Sequence, residues 1–263
     1  MQKTHVSPSR WLLSPKMTAE AEVLLFSFHY AGGHAGIYRE WQKKLPVQIG
    51  VCPVQLPGRS NRFMEPYYTD LSVMIRELAE ALLPHLNRPF AFFGHSMGAL
   101  VSFELARYLR NEYGIKPQHM FASGRHAPHL PDPGEAIHHL PDAEFLKGLR
   151  TLNGTPKELF ENEENEEILQ MLLPMLRADF TICEQYQYQE EEPLGCGLTA
   201  IGGWQDPDIT VAHMDAWCKH TRASFQMHML QGDHFFLHSE QEQLLSIIES
   251  TLQSYLVGYR GIG

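Results

Sequence analysis

Cysteine is scarce in this chain of 263 residues: Cys52, Cys183, Cys196 and Cys218 are the whole set. None forms a CxxC pair, so a disulfide framework is not expected and the thiols read as free and mostly buried. Long apolar runs are also missing. No stretch approaches the roughly 18–20 residues that cross a bilayer. Before Val23 the only apolar patch is Trp11-Leu12-Leu13, shorter than the roughly 7–15 residues of a secretory h-region. The expectation is a cytoplasmic protein with no membrane contact. Basic charge is in deficit, with 21 Lys and Arg against 31 Asp and Glu. A general nucleic-acid binder needs a basic footprint, so that class is set aside. No HExxH motif occurs, and His138-His139 are adjacent, so their side chains diverge on a helix or a strand. Neither a metal nor a cofactor is expected.

What is present suits a globular enzyme. Hydrophobic residues make up 43% and charged residues 20%, enough apolar material for a sizeable core. The acid is concentrated. Residues 126–193 hold 15 acidic and 4 basic residues, a net of −11, while the remainder holds 16 and 17. The densest stretch runs from Glu158 to Glu167 and reads as a solvated face.

Six apolar runs read as strands: Val23–Phe28, Val51–Leu56, Phe90–Phe93, His119–Ala122, Leu198–Ile201 and Phe225–Leu230. Between them lie amphipathic helices. Asp70–Leu86 carries Leu71, Met74, Ile75, Leu78 and Leu82 on one face, with Thr69 or Asp70 as its cap, and Met97–Tyr113 and Glu240–Leu256 follow later. Such alternation predicts an α/β fold with a mostly parallel sheet covered on both faces. Between Arg125 and Leu194 the pattern is helical only, over Asp142–Leu149 and Glu166–Tyr188. Seventy residues are too many for a structureless loop. The expected organisation is an extension over 1–22, a core over 23–125 and 194–263, and a helical insertion over 126–193. In open α/β sheets, ligands bind beyond the carboxyl ends of the strands, so an insertion there covers the site.

The strongest chemical signal is Gly94-His95-Ser96-Met97-Gly98. It follows a strand and opens a helix, the setting in which GxSxG presents a serine on a strained turn. A serine hydroxyl needs a base. The chain order expected here is serine, acid, histidine. His234, in Gly232-Asp233-His234-Phe235-Phe236 after the last strand, is the candidate base. The acid should follow the fifth strand, where Asp206 precedes Pro207 in a turn that aims its carboxylate inward; Asp208 is the alternative. Oxyanion donors are expected at the N–H of Met97 and in the loop His29–Gly36, at Ala31, with Tyr30 next in line. That Gly-rich loop lacks the GxGxxG spacing of a dinucleotide site, and the next strand ends at Gln55 with no acidic residue.

These residues together resemble the type II thioesterases that accompany nonribosomal peptide and polyketide synthases. Phe28-His29-Tyr30-Ala31-Gly32-Gly33 is similar to that family's F-P-x-A-G-G loop, with His29 in place of proline. Gln55-Leu56-Pro57-Gly58-Arg59 resembles its Q-x-P-G-R element, and Gly94–Gly98 its nucleophile elbow. Ser123-Gly124-Arg125 with Ala127-Pro128, Leu152–Pro156, Leu173–Phe180 and Glu184-Gln185-Tyr186 resemble its lid and the run into it. The segments around Asp206 and His234 match its acid and histidine segments. The resemblance covers roughly residues 22–256. It implies an α/β-hydrolase fold with a helical lid. It also implies an acyl or aminoacyl thioester substrate, borne on the phosphopantetheine arm of an acyl or peptidyl carrier protein.

On this reading Ser96, Asp206 and His234 carry the reaction through an acyl-serine, and Ala31 and Met97 hold the oxyanion. With 22 residues before the first strand, a free-standing monomer is expected rather than a domain fused behind a carrier. The competing readings are a small-molecule carboxylesterase or lipase and a hydrolase-fold binding protein without turnover. Carrier proteins of this kind are usually acidic, as the resemblance implies. Docking is therefore expected away from the acidic insertion, with Arg59, Arg62 and Arg125 as candidate receivers of the carrier or its phosphate.

Overall fold

A computed structural model describes residues 10–13, 20–151 and 166–260. Leu152, Leu159, Phe160 and the acidic residues from Glu158 to Asn165 lie outside the described residues.

The frame is a six-stranded parallel sheet of order β2-β1-β3-β4-β5-β6. Its strands are β1 (Val23–Phe28), β2 (Ile49–Pro53), β3 (Phe90–His95), β4 (His119–Ser123), β5 (Gly197–Gly203) and β6 (Phe225–Leu230). The helices are α1 (Trp41–Lys44), α2 (Leu71–Leu82), α3 (Met97–Tyr113), α4 (Asp142–Thr151), α5 (Glu166–Glu184), α6 (Val211–Asp215), α7 (Phe236–Ser239) and α8 (Gln241–Arg260). The six expected strands and the long helices are all present. The second strand is shifted toward the N-terminus because Pro53 ends its ladder, and α1 and α6 are too short to show a helical period.

Strands β1 to β5 are buried along their whole length, as a parallel sheet covered on both faces requires, while the edge strand β6 is mostly half-buried. Along β1 the side chains alternate between two cores. Leu24, Phe26 and Phe28 pack with α2 and α3 on one face. Val23 and Leu25 pack with α1 and α8 on the other. Helix α2 begins at Asp70, whose Oδ1 accepts the Ser72 and Val73 N–H groups at 2.8 and 3.2 Å. Helix α3 ends at Gly114, whose positive φ of 65° closes the cap.

The chain leaves β1 for β2 on one side, then crosses to β3 on the other. This reversal opens a crevice at the carboxyl ends of β1 and β3. Both the serine turn and the loop after β1 sit there. Between β4 and β5, α4 and α5 share a small core of their own through Phe145, Leu149, Leu173 and Leu176. Met171 on α5 faces solvent at 59% exposure.

Among the described residues of the N-terminal extension, Trp11 and Leu12 pack against the body. Leu12 is buried and bridges Val54 in antiparallel fashion, and Trp11 stacks on Tyr68 beneath the Arg62 guanidinium.

Candidate active site

Ser96 lies between the last residue of β3 and the first of α3, with φ 54° and ψ −116°. That left-handed conformation is strained for a non-glycine residue. Two glycines permit the turn. A Cβ on Gly98 would stand 2.1 Å from the Phe28 carbonyl oxygen, and one on Gly94 would stand 2.1 Å from that of Gly98. The Ser96 N–H donates to Ser123 O at 2.8 Å, which fixes the turn against β4.

The acid and histidine segments run side by side. Gln205 N donates to Gly232 O at 2.9 Å, and Gly232 N donates to the Gln205 side chain. A Cβ on Gly203 would meet Asp233 O at 2.6 Å, so the close approach depends on glycine. The result is a buried pair: His234 Nδ1 donates to Asp206 Oδ2 at 2.7 Å. The other oxygen, Oδ1, accepts the N–H groups of Asp208 and Ile209 at 3.1 and 3.2 Å. The turn after Pro207 thus folds back onto the Asp206 carboxylate. With Nδ1 engaged, Nε2 is the nitrogen left for chemistry. Asp208 makes no pair with His234; burial, then the nearby Asp206 charge, raises its carboxyl pKa.

Ala31, Ser96, Asp208 and His234 line one cavity of about 120 Å³. Among the described residues, no hydrogen bond joins Ser96 Oγ to His234. The Ala31 and Met97 N–H groups donate to no protein acceptor among the described residues. Met97 is the first residue of α3, so its N–H is one of the donors a helix start leaves open.

Three supports were not anticipated from the sequence. His95 is fully buried, and its Nε2 donates to the His234 carbonyl oxygen at 2.9 Å while Nδ1 lies 2.8 Å from Ser123 Oγ. Burial holds its pKa well below the ordinary imidazole value, which suits a neutral ring with those two roles. The second support is Asp179 on α5, whose Oδ2 accepts the Gly32 N–H at 2.8 Å, one residue past Ala31. The third is Gln55, whose side chain accepts Ala35 N–H at 3.2 Å and donates to Leu56 O. The Q-x-P-G-R and Leu173–Phe180 resemblances contained Gln55 and Asp179, but spacing alone gave neither a partner.

The basic residues behave differently from the expectation. Arg59 forms a buried bidentate pair with Asp179, and Arg62 pairs with Glu65 while donating to Gln55 O. Both guanidinium groups are spent on internal contacts and are not available to a carrier. Arg125 is buried on the cavity wall.

No group of His, Cys, Asp and Glu among the described residues has the makings of a metal site. No helix among them is long and apolar enough to cross a membrane.

The thioesterase domain model matches residues 24–252. Over its full length the chain is 98% identical to all of a Brevibacillus parabrevis protein named linear gramicidin dehydrogenase LgrE. It is 42% identical to the gramicidin S biosynthesis protein GrsT of Aneurinibacillus migulanus, over 94% of this chain and 96% of that one. The solved RedJ thioesterase of the prodiginine pathway in Streptomyces coelicolor superposes with a TM-score of 0.81 at 37% identity, covering 88% of this chain and 86% of that one. A match across nearly the whole sheet, with the serine turn, acid and histidine all inside it, places this chain in the thioesterase family.

Proposed function

We propose that this chain is a serine hydrolase of thioesters. On this proposal it removes acyl or aminoacyl groups from the phosphopantetheine arms of acyl or peptidyl carrier proteins, as a stand-alone type II thioesterase of nonribosomal peptide or polyketide synthesis. The observation that carries the reading is the buried His234–Asp206 pair, which opens onto the same cavity as Ser96 and Ala31.

In the first half, His234 Nε2 takes the Ser96 proton as Oγ attacks the thioester carbonyl. The Ala31 and Met97 N–H groups hold the oxyanion. The C–S bond breaks, and His234 returns the proton to the leaving thiolate. In the second half, water loses a proton to His234 and attacks the acyl-serine. The ester C–O bond breaks and Ser96 recovers its proton. Asp206 keeps the imidazole in the tautomer that leaves Nε2 unprotonated at the start. The Ser96–His234 contact tightens when substrate arrives, as is common for sites that are open at rest. Residues 126–193 serve as the lid over a core of 23–125 and 194–263. Asp132–Glu135 and the end of α5, through Phe180, Cys183 and Glu184, wall the cavity.

The name of the Brevibacillus relative suggests a second reading, a dehydrogenase, and the test of it is whether the fold offers a dinucleotide site. Against it stand the residues that occupy the dinucleotide position. The loop after β1 lacks the glycine spacing of such a site. Where that site wants an acid at the end of β2, a buried Gln55 braces the loop. The deciding experiment incubates carrier proteins loaded with a range of acyl groups and follows their mass. Loss of the acyl group without nicotinamide supports the proposal. Intact carriers alongside nicotinamide oxidation, or alongside turnover of simple esters only, overturn it.

A further inference from the structure

Arg125 stands apart from the other buried arginines. Arg59, Arg62 and Arg107 each hold a carboxylate within 2.7 Å. Arg125 is 6% exposed, lines the cavity that contains Ser96 and His234, and has no carboxylate within ion-pair distance among the described residues. Among the described residues its Nε has no hydrogen-bond partner. The guanidinium lies beside the Cys183 thiol, a weak acceptor. Four carboxylates, on Asp132, Glu135, Glu184 and Asp208, line the same cavity without reaching it. Glu184 is engaged by His138 and by the Ile137 and His138 N–H groups.

The backbone offers this side chain little freedom to find another partner. Gly124 N donates to Ile201 O at 2.9 Å, and Arg125 O accepts the Trp217 indole N–H at 2.8 Å. The residue is pinned at the end of β4, against the Ser96 turn. A buried guanidinium without an oxygen to bind is costly, and such unsatisfied groups at a cavity are completed by what enters it.

We infer that Arg125 is a substrate-binding residue that donates to a carbonyl oxygen of the pantetheine arm, that of the amide nearest the thioester. The inference rests on the carrier-thioester reading above. The Ser96 and His234 side chains share this cavity of about 120 Å³ with Arg125. The reacting carbonyl must enter it to reach Ser96, and the groups nearest that carbonyl come with it. The phosphate is at the opposite end of the arm, many bonds from the reacting carbon. The reacting carbonyl's own oxygen belongs to the backbone donors. Two oxygens remain within reach, the first amide of the arm and a carboxylate on the acyl group. Four carboxylates already line the wall, which disfavours a further anion and leaves a neutral carbonyl unopposed. The amide is also common to every carrier-borne substrate.

The test compares kcat/KM on three thioesters: acetyl-N-acetylcysteamine, its analogue with the amide replaced by an alkyl chain, and succinyl-N-acetylcysteamine. A hydrogen bond from a charged donor predicts that the wild type prefers the amide over the alkyl analogue by about 10- to 100-fold, carried by KM. Arg125→Gln removes that preference and Arg125→Lys restores part of it. The wild-type comparison needs no variant to fold. A wild type that treats the amide and alkyl substrates alike overturns the inference. So does an Arg125→Gln variant that loses both equally, or one whose loss follows the succinyl carboxylate. A wild type that hydrolyses none of the thioesters overturns the thioesterase reading itself.

Discussion

Asp179 accepts two hydrogen bonds from Arg59, at 2.7 and 2.8 Å, with the side chains only 2% and 5% exposed. The same carboxylate takes the Gly32 N–H. One residue of α5 therefore joins three segments: the helix over the cavity, the loop after β2, and the loop that carries Ala31. Arg59 adds a bond from its guanidinium to Gly33 O at 3.3 Å. The loop after β1 is thus held by groups far away in sequence. His29, which stands where the family has a ring-constrained proline, lies in that loop.

Asp179→Ala is expected to lower stability by about 3–5 kcal/mol, because it leaves Arg59 buried without a counter-charge. Replacing both partners, Arg59→Met with Asp179→Leu, recovers most of that loss. Turnover stays low in the double variant, since Gly32 is no longer anchored. Urea unfolding and steady-state kinetics on the same samples check both parts. A single variant as stable as wild type contradicts the account.

Ser96 combines function with strain. Ser96→Ala keeps the positive φ of 54°, so it should unfold like wild type and lose thioester hydrolysis. Ser96→Gly should also be inactive yet gain about 1 kcal/mol, as glycine relieves a strain of about 1–3 kcal/mol at some entropic cost. Thermal unfolding of the two variants gives the comparison. A glycine variant less stable than the alanine one goes against it.

The two aspartates of the acid turn should separate cleanly. Asp206→Asn removes the acceptor that orients His234 and is expected to lower kcat by on the order of 10⁴. Asp208→Asn leaves that bond intact and should cost less than about tenfold, since Asp208 gives the turn only its backbone N–H. Parallel kinetics decide the ranking, and the reverse order moves the acid to Asp208.

Stability should fall on mild acidification. Burial, in each case the largest cause, holds His29 and His126 down to about 3, and His119 and His220 to about 4. In the unfolded chain a histidine titrates near about 6.5. Between these values the unfolded state binds more protons, so stability is fully present above about pH 6.5 and drains away as the pH falls toward the folded values. Each such histidine contributes a slope of at most about 1.4 kcal/mol per pH unit. Urea midpoints measured across this range should drop steadily toward acid. A flat profile would show that these rings ionise freely in the folded chain.

Much of this molecule can be read from local pattern. Strand β1 and helix α3 begin and end where apolar period and punctuation place them, because burial on a sheet face and a glycine cap are written within a few residues. The serine turn is legible for the same reason: its glycines, its strand and its helix are contiguous. The order of serine, acid and histidine along the chain follows from the fold class those elements imply.

What the tertiary structure alone decided is how distant polar groups meet. Asp206 rather than Asp208 faces His234 because the backbone after Pro207 folds back onto the Asp206 carboxylate. His95 steadies the carbonyl of His234 across 139 positions. Arg59 meets Asp179 across 120 positions, whereas Arg125, equally basic and equally buried, meets no carboxylate among the described residues. Hydrophobic burial is non-directional and repeats with the period of each element, so it leaves a trace in the sequence. A hydrogen bond or ion pair instead depends on a few tenths of an ångström between two side chains whose sequence positions are unrelated. Only the packed sheet, with its loops brought together at the carboxyl ends of its strands, fixes that distance.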